Sequence, residues 1–246
     1  MKSIAPITLF CFPHAGASAH VYAQWQRLLP QWVTVRPIEL PGRGERSRES
    51  LIEDFSVLTK KLTDELFEAA CATRRYALFG HSLGGLIAFE LAYALTERGA
   101  PAPAALFVSG VSGPIEKDQR EAKEFPEPPT DAQLMERLRR LNGMPTALLE
   151  NAELIEMVLP VLSADYHLYA SYRRPQRAPL NCPIYAFGGT HDPIVSSAAL
   201  QTWECETTAQ FSTEMFDGDH FFIRDHETVL LQRLEFFSAL CAMEAA

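Results

Sequence analysis

Six short apolar runs limit what this chain can fold into: ITLFCF (7–12), VTVRPIEL (33–40), RYALFG (75–80), AALFVSG (104–110), PIYAFGG (183–189) and QFSTEMF (210–216). A strand with one wet face alternates polar and apolar residues. Most of these runs are nearly continuous, as in parallel strands covered on both faces. Helical spacing occupies the stretches between them, at about 20–29, 53–70, 83–98, 196–204 and 226–243. The alternation predicts an α/β fold, an open and mainly parallel sheet with helices on both faces.

One connection breaks that rhythm. Residues 112–180 exceed the usual crossover length; they open with the charged, proline-rich GPIEKDQREAKEFPEPPTD and continue with helical patterns in DAQLMERLRRL and NAELIEMVLPVLSADYHLYASYR. A helical insertion this late in such a sheet is expected to cap the C-terminal edge of the strands, where ligands bind. The chain reads as a single domain over residues 1–246, with the insertion at about 112–180.

Composition removes several classes. A net charge of −9 and a pI of about 5.3 argue against a nucleic-acid binder, which needs a basic face. The five cysteines are scattered and form no Cys-x-x-Cys pair, which reads as reduced thiols and neither a disulfide framework nor a zinc site. No apolar stretch is long enough to span a bilayer. A cytoplasmic chain without membrane attachment is the expectation.

The stretch ALFGHSLGGLIAFE (77–90) places Gly-x-Ser-x-Gly between an expected strand and an expected helix. Such a junction strains the serine backbone and leaves no room for side chains at Gly80 and Gly84; in return the Ser82 hydroxyl projects above the sheet at a helix N-terminus. A serine hydroxyl needs a base, and the base needs an orienting acid. In a fold with this turn the chain order is serine, acid, histidine. Among seven histidines, His220 in EMFDGDHFFIRDH follows the last strand and can lean over Ser82. Asp192 in YAFGGTHDPIVS lies on the same edge, one strand earlier. Asp217 and Asp219 are too near His220 in sequence to reach its far nitrogen easily. Small residues in the loop PHAGAS, after the first strand, allow close backbone approach, so the N–H groups of Ala15 and Leu83 are the candidate oxyanion donors.

Taken together, LFCFPHAGAS, ELPGRGER, GHSLGG, LNGMP, LPVLSADYHLYASYR, GGTHDPIV and GDHFFI resemble, in order and over nearly the whole chain, the type II thioesterases of polyketide synthases and nonribosomal peptide synthetases. The resemblance implies the α/β-hydrolase fold, a helical lid, and hydrolysis of acyl thioesters carried on the phosphopantetheine arm of acyl- or peptidyl-carrier proteins. It carries the nucleophile onto Ser82, the acid onto Asp192, the base onto His220 and the oxyanion donors onto Ala15 and Leu83. Two departures stand out: Leu83 and Gly85 where the family often has Met and Ala, and Asp219 where it often has a second glycine before the histidine.

No metal or diffusible cofactor is expected, since the pantetheine arm belongs to the partner. Docking is expected to be transient and the chain a monomer. Arg43, Arg46 and Arg48, or Arg173, Arg174 and Arg177, are candidate basic patches for an acidic carrier. Met135, Met144, Leu159, Tyr166 and Tyr169 are candidate acyl-pocket residues. A chain-releasing medium-chain thioesterase, an esterase on free esters and a non-catalytic binding protein on the same fold are the rival readings.

Overall fold

The computed structural model describes residues 5–115, 130–143 and 151–244. Six parallel strands form one sheet in the order β2-β1-β3-β4-β5-β6: β1 (Ile7–Phe12), β2 (Val33–Pro37), β3 (Tyr76–His81), β4 (Ala105–Ser109), β5 (Ile184–Gly189) and β6 (Phe211–Phe216). Each lies within about a residue of its apolar run except β2. That strand stops at Pro37, which has no N–H for the ladder.

The helices are α1 (Trp25–Leu28), α2 (Phe55–Ala72), α3 (Leu83–Glu97), α4 (Asp131–Arg140), α5 (Ala152–Ser171), α6 (Ser197–Gln201), α7 (Phe222–Asp225) and α8 (Glu227–Glu244). Two expected helices are broken by 3₁₀ turns, at Ala19–Tyr22 before α1 and at Thr202–Glu206 after α6. Local chemistry sets several starts. Asp54 caps α2 by accepting from Val57 N–H at 3.0 Å, and Thr130 and Gln133 form a capping box on α4.

The strands send alternate residues to opposite faces. Phe10, Phe12, Leu78 and Leu106 pack under α2 and α3. Leu9, Cys11, Phe79 and Phe107 pack against Trp25 and, from α8, Leu230 and Leu234. Helix α3 is buried almost all round, which suits a helix at the centre of a layer. Its buried Glu90 accepts from Tyr172 Oη at 2.8 Å and Arg177 Nη2 at 2.6 Å, and so ties the segment leaving α5 to the middle of the domain.

Among the described residues, no helix is long and apolar enough to cross a membrane.

Candidate active site

The turn from β3 into α3 is built around two absent side chains. A Cβ on Gly80 would lie 2.0 Å from the Gly84 carbonyl oxygen, and one on Gly84 would lie 2.1 Å from the Phe12 carbonyl oxygen. Both obstacles are backbone, so neither can step aside cheaply. Gly84→Ala is therefore expected to cost about 3 kcal/mol through overpacking, lowering Tm by roughly 6–12 °C. A thermal melt checks this; a shift below about 2 °C would mean that the β1–α3 contact yields easily.

Between these glycines Ser82 has φ 54° and ψ −119°, a conformation L-residues adopt at a cost of about 1–3 kcal/mol. The turn is held from outside as well: Ser82 N–H donates to the Ser109 carbonyl at the end of β4, at 2.7 Å.

The loops after β5 and β6 run together. Thr190 N–H donates to Phe216 O at 2.8 Å, and His191 N–H to Gly218 O at 2.9 Å. This pairing brings Asp192 to His220, whose Nδ1 lies 2.7 Å from Asp192 Oδ2. The other carboxylate oxygen accepts from the N–H groups of Ile194 at 2.7 Å and Val195 at 3.1 Å. Burial pushes the Asp192 carboxyl up, but the hydrogen bond and charge of His220 and the two N–H groups outweigh it and hold the group below its ordinary value. Asp192 is an acceptor, so Nδ1 of His220 carries the proton and Nε2 keeps its lone pair.

Asp217 and Asp219 are engaged elsewhere. Asp217 lies against His191 and Thr190. Asp219 Oδ1 accepts from Phe221 N–H at 2.7 Å, and its Oδ2 accepts from Asn142 Nδ2 at 2.8 Å. This carboxylate, which departs from the usual second glycine, thus joins the histidine loop to the turn after α4. Arg224 strengthens the same joint by donating to the carbonyls of Asn142 and Gly143, each at 2.8 Å.

Two further histidines lie under His220. The rings of His81 and His220 are 5.1 Å apart, those of His14 and His81 5.8 Å, and His81 Nδ1 meets Ser109 Oγ at 3.0 Å. Burial first, then the nearby charges of Arg224 and His220, pushes His14 down to about 3; burial and the same surroundings hold His81 well below its ordinary value. Both rings are neutral near pH 7, so Asp192 is the charge that faces a protonated His220. His226, expected in the last helix, sits between α7 and α8 with Nε2 2.5 Å from Asp217 O.

Ser82, Leu83, Ala15 and His220 line one cavity of about 40 Å³. Tyr166 and Tyr169 of α5, two of the pocket candidates, close it from the lid side. The other candidates differ. Met135 packs with Leu134, Leu138 and Leu162 in a small core within the lid. Leu159 is half-buried on α5 and is not on the cavity wall. Met144 lies outside the described residues. Missed from the sequence were Gly110 and Val111 after β4, Ile194 and Val195 beside the acid, and Arg137 and Asp165 of the lid.

The basic patches are also corrected. Arg43 is buried against Asp165, Arg46 pairs with Glu49 and Glu65, Arg174 with Glu206, and Arg177 with Glu90. Arg48 and Arg173 stay exposed. Four of the six arginines serve internal ion pairs.

A serine on an elbow, a histidine oriented by a buried carboxylate and a helix N-terminus on one cavity are the parts of acyl transfer. The family described as Thioesterase domain matches residues 7–237. The chain belongs to the thioesterase family. Among curated relatives, this thioesterase is 37% identical over 239 residues to linear gramicidin dehydrogenase LgrE of Brevibacillus parabrevis, covering 96% of this chain and 89% of LgrE. Despite that relative's name, the loop after β1 here, PHAGAS, lacks the Gly-x-Gly-x-x-Gly spacing of dinucleotide binding. Among solved structures, RedJ, a thioesterase from the prodiginine pathway of Streptomyces coelicolor, superposes with a TM-score of 0.86 at 36% identity, covering 95% of this chain and 86% of RedJ. The type II thioesterase BorB, from the borrelidin biosynthetic cluster, superposes with a TM-score of 0.79 at 31% identity, covering 95% and 93%. The fold is that of the α/β-hydrolase thioesterases, and the thioesterase sits with the type II enzymes.

Proposed function

We propose that this thioesterase hydrolyses acyl groups from the phosphopantetheine arm of carrier proteins, clearing misprimed or stalled acyl groups from polyketide or nonribosomal peptide assembly lines. The observation that carries the reading is the convergence of Ser82, His220, Ala15 and Leu83 on one cavity beneath the lid helix α5. The similarity to type II thioesterases of biosynthetic clusters, such as BorB, disfavours release of finished fatty chains. The relatives' clusters support carrier proteins as partners.

In this mechanism the His220 Nε2 takes the Ser82 proton as Oγ attacks the thioester carbonyl, and Asp192 steadies the imidazolium. The carbonyl oxygen becomes an anion facing the N–H groups of Ala15 and Leu83 at the α3 N-terminus. The C–S bond then breaks, and the departing pantetheine sulfur takes the proton from His220, which returns the imidazole to its neutral form. Water, deprotonated by the same imidazole, attacks the Ser82 ester, and Oγ recovers its proton as the acid leaves. Every proton is accounted for by side chains of this chain, so neither a metal nor a diffusible cofactor is invoked. The enzyme acts as a cytoplasmic monomer that docks transiently on its carriers.

Intact-protein mass spectrometry of acetyl-loaded carrier protein tests this, with acetyl-CoA and octanoyl-loaded carrier as competing substrates. Acetyl should leave the carrier at least about tenfold faster than it leaves acetyl-CoA, the factor that 1.4 kcal/mol of docking supplies. Faster loss of octanoyl would favour chain release; a carrier left loaded while small esters are cleaved would remove the assembly-line role.

A further inference from the structure

The loop that offers the Ala15 N–H rests on the main core below and is held from above by the lid. Asp165, midway along α5, is fully buried, and its Oδ2 accepts the N–H of Gly16, the next residue after Ala15, at 2.7 Å. Arg43, from the loop after β2, grips the same carboxylate with both terminal nitrogens, Nη1 to Oδ2 at 2.5 Å and Nη2 to Oδ1 at 2.6 Å. The Arg43 Nη1 also donates to the Ala17 carbonyl at 3.3 Å. One ion pair therefore holds the N–H on one side of the Ala15–Ala17 turn and a C=O on the other.

Apolar contacts follow the same route. Ala15 packs on the lid's Leu134, Leu138 and Leu162 cluster, and a Cβ on Gly16 would meet Leu162 Cδ1 at 3.0 Å. A buried, bidentate pair of this kind is expensive to leave half-made, because the remaining charge has no water to turn to. Its geometry is consequently close to all-or-none. With α5 seated, Asp165 is the acceptor for Gly16 N–H; a movement of α5 away from the loop would remove that acceptor.

We infer that Asp165 and Arg43 are positioning residues that set the Ala15 oxyanion donor only when the lid helix is seated, so that lid closure and assembly of the oxyanion hole are one event. The inference rests on the proposed role of the Ala15 amide and adds a cause for its geometry. It also gives a reason for a carboxylate on the wall of an acyl cavity: Asp165 organises the turn and is not a reacting group.

The test compares Asp165→Asn, Arg43→Lys and the double variant Asp165→Asn/Arg43→Gln, which leaves no unpaired buried charge. Each is assayed on acetyl-loaded carrier protein and with an alkyl trifluoromethyl ketone, whose adduct with Ser82 presents an oxyanion. Asp165→Asn should lower kcat about a hundredfold, the cost of a misplacement near 1 Å, with KM changed less than about threefold. The inhibition constant for the ketone should rise by the same factor as kcat/KM falls, and Arg43→Lys should fall between. A melt of each variant separates this from unfolding, since loss of folded protein lowers the active fraction but leaves the inhibition constant unmoved. If Asp165→Asn does not fold, the lysine and double variants carry the same comparison. Folded variants with unchanged kcat and unchanged ketone affinity, or a loss confined to KM, would overturn the inference. If instead Ser82→Ala retains activity and the ketone fails on the wild type, the serine mechanism is at fault, and that outcome is distinguishable from the first.

Discussion

Ser82→Ala should lower turnover of acetyl-loaded carrier by roughly 10⁶-fold, the scale seen when a triad serine is removed, while leaving the fold intact. The expected loss is this large because, among the described residues, no other hydroxyl side chain stands on a positive-φ turn. Ser82 stands at φ 54° with its N–H tied to Ser109 O, and it lines the same cavity as His220. Alanine keeps the unfavourable backbone conformation, so its Tm should match the wild type. Ser82→Gly relaxes the conformation and should be more stable by about 1 kcal/mol, a rise of roughly 2–4 °C, though equally inactive. A stabilised but dead glycine variant beside a neutral, dead alanine variant would mark strain maintained for function. Activity surviving in both, read by the mass of the carrier, would place the nucleophile elsewhere.

Much of this site is legible in the sequence because its determinants are local. Glycines at 80 and 84, an apolar run before them and a helical pattern after them are read within fifteen residues of one another. The acid and base are found by a rule of order along the chain, each just past the end of a strand. What is not legible joins distant segments through single contacts. Asp165 lies 122 residues from Arg43, and Asn142 lies 77 from Asp219. No periodicity announces such pairs. Arg43, Arg46, Arg174 and Arg177 illustrate the resulting error: arginines clustered in sequence read as a surface patch, whereas folding brings Asp165, Glu65, Glu206 and Glu90 to them in turn. Met135 and Leu159 show the matching ambiguity for apolar residues, since helical spacing marks a covered face without saying whether protein or ligand covers it. The two tyrosines that do reach the cavity lie about two and three turns beyond Leu159 on α5.

Asp192→Asn carries the second large effect, about 10⁴-fold in kcat with little change in KM. The asparagine can still accept from the Ile194 and Val195 N–H groups, so the loop should keep its shape. With the carbonyl oxygen so engaged, its NH₂ faces His220 Nδ1 and favours the tautomer with the proton on Nε2, where a lone pair is needed for Ser82. The substitution also reaches stability through a definite pH window. The folded Asp192 carboxyl lies below its unfolded value, so its contribution is complete above the ordinary carboxylate pKa of about 3.9 and is lost as the pH falls through the lower folded value. Wild type and variant should therefore differ in stability at pH 7 and converge in strong acid, as followed by denaturant melts across that range. The kinetic loss, by contrast, should persist at every pH where an imidazole is neutral, because it arises from the tautomer and not from the charge alone. A variant keeping more than a tenth of wild-type kcat would assign the acid's role elsewhere. The two nearby carboxylates could take that role only by abandoning existing partners: Asp217 its contact with His191, and Asp219 its hold on Asn142 of the lid.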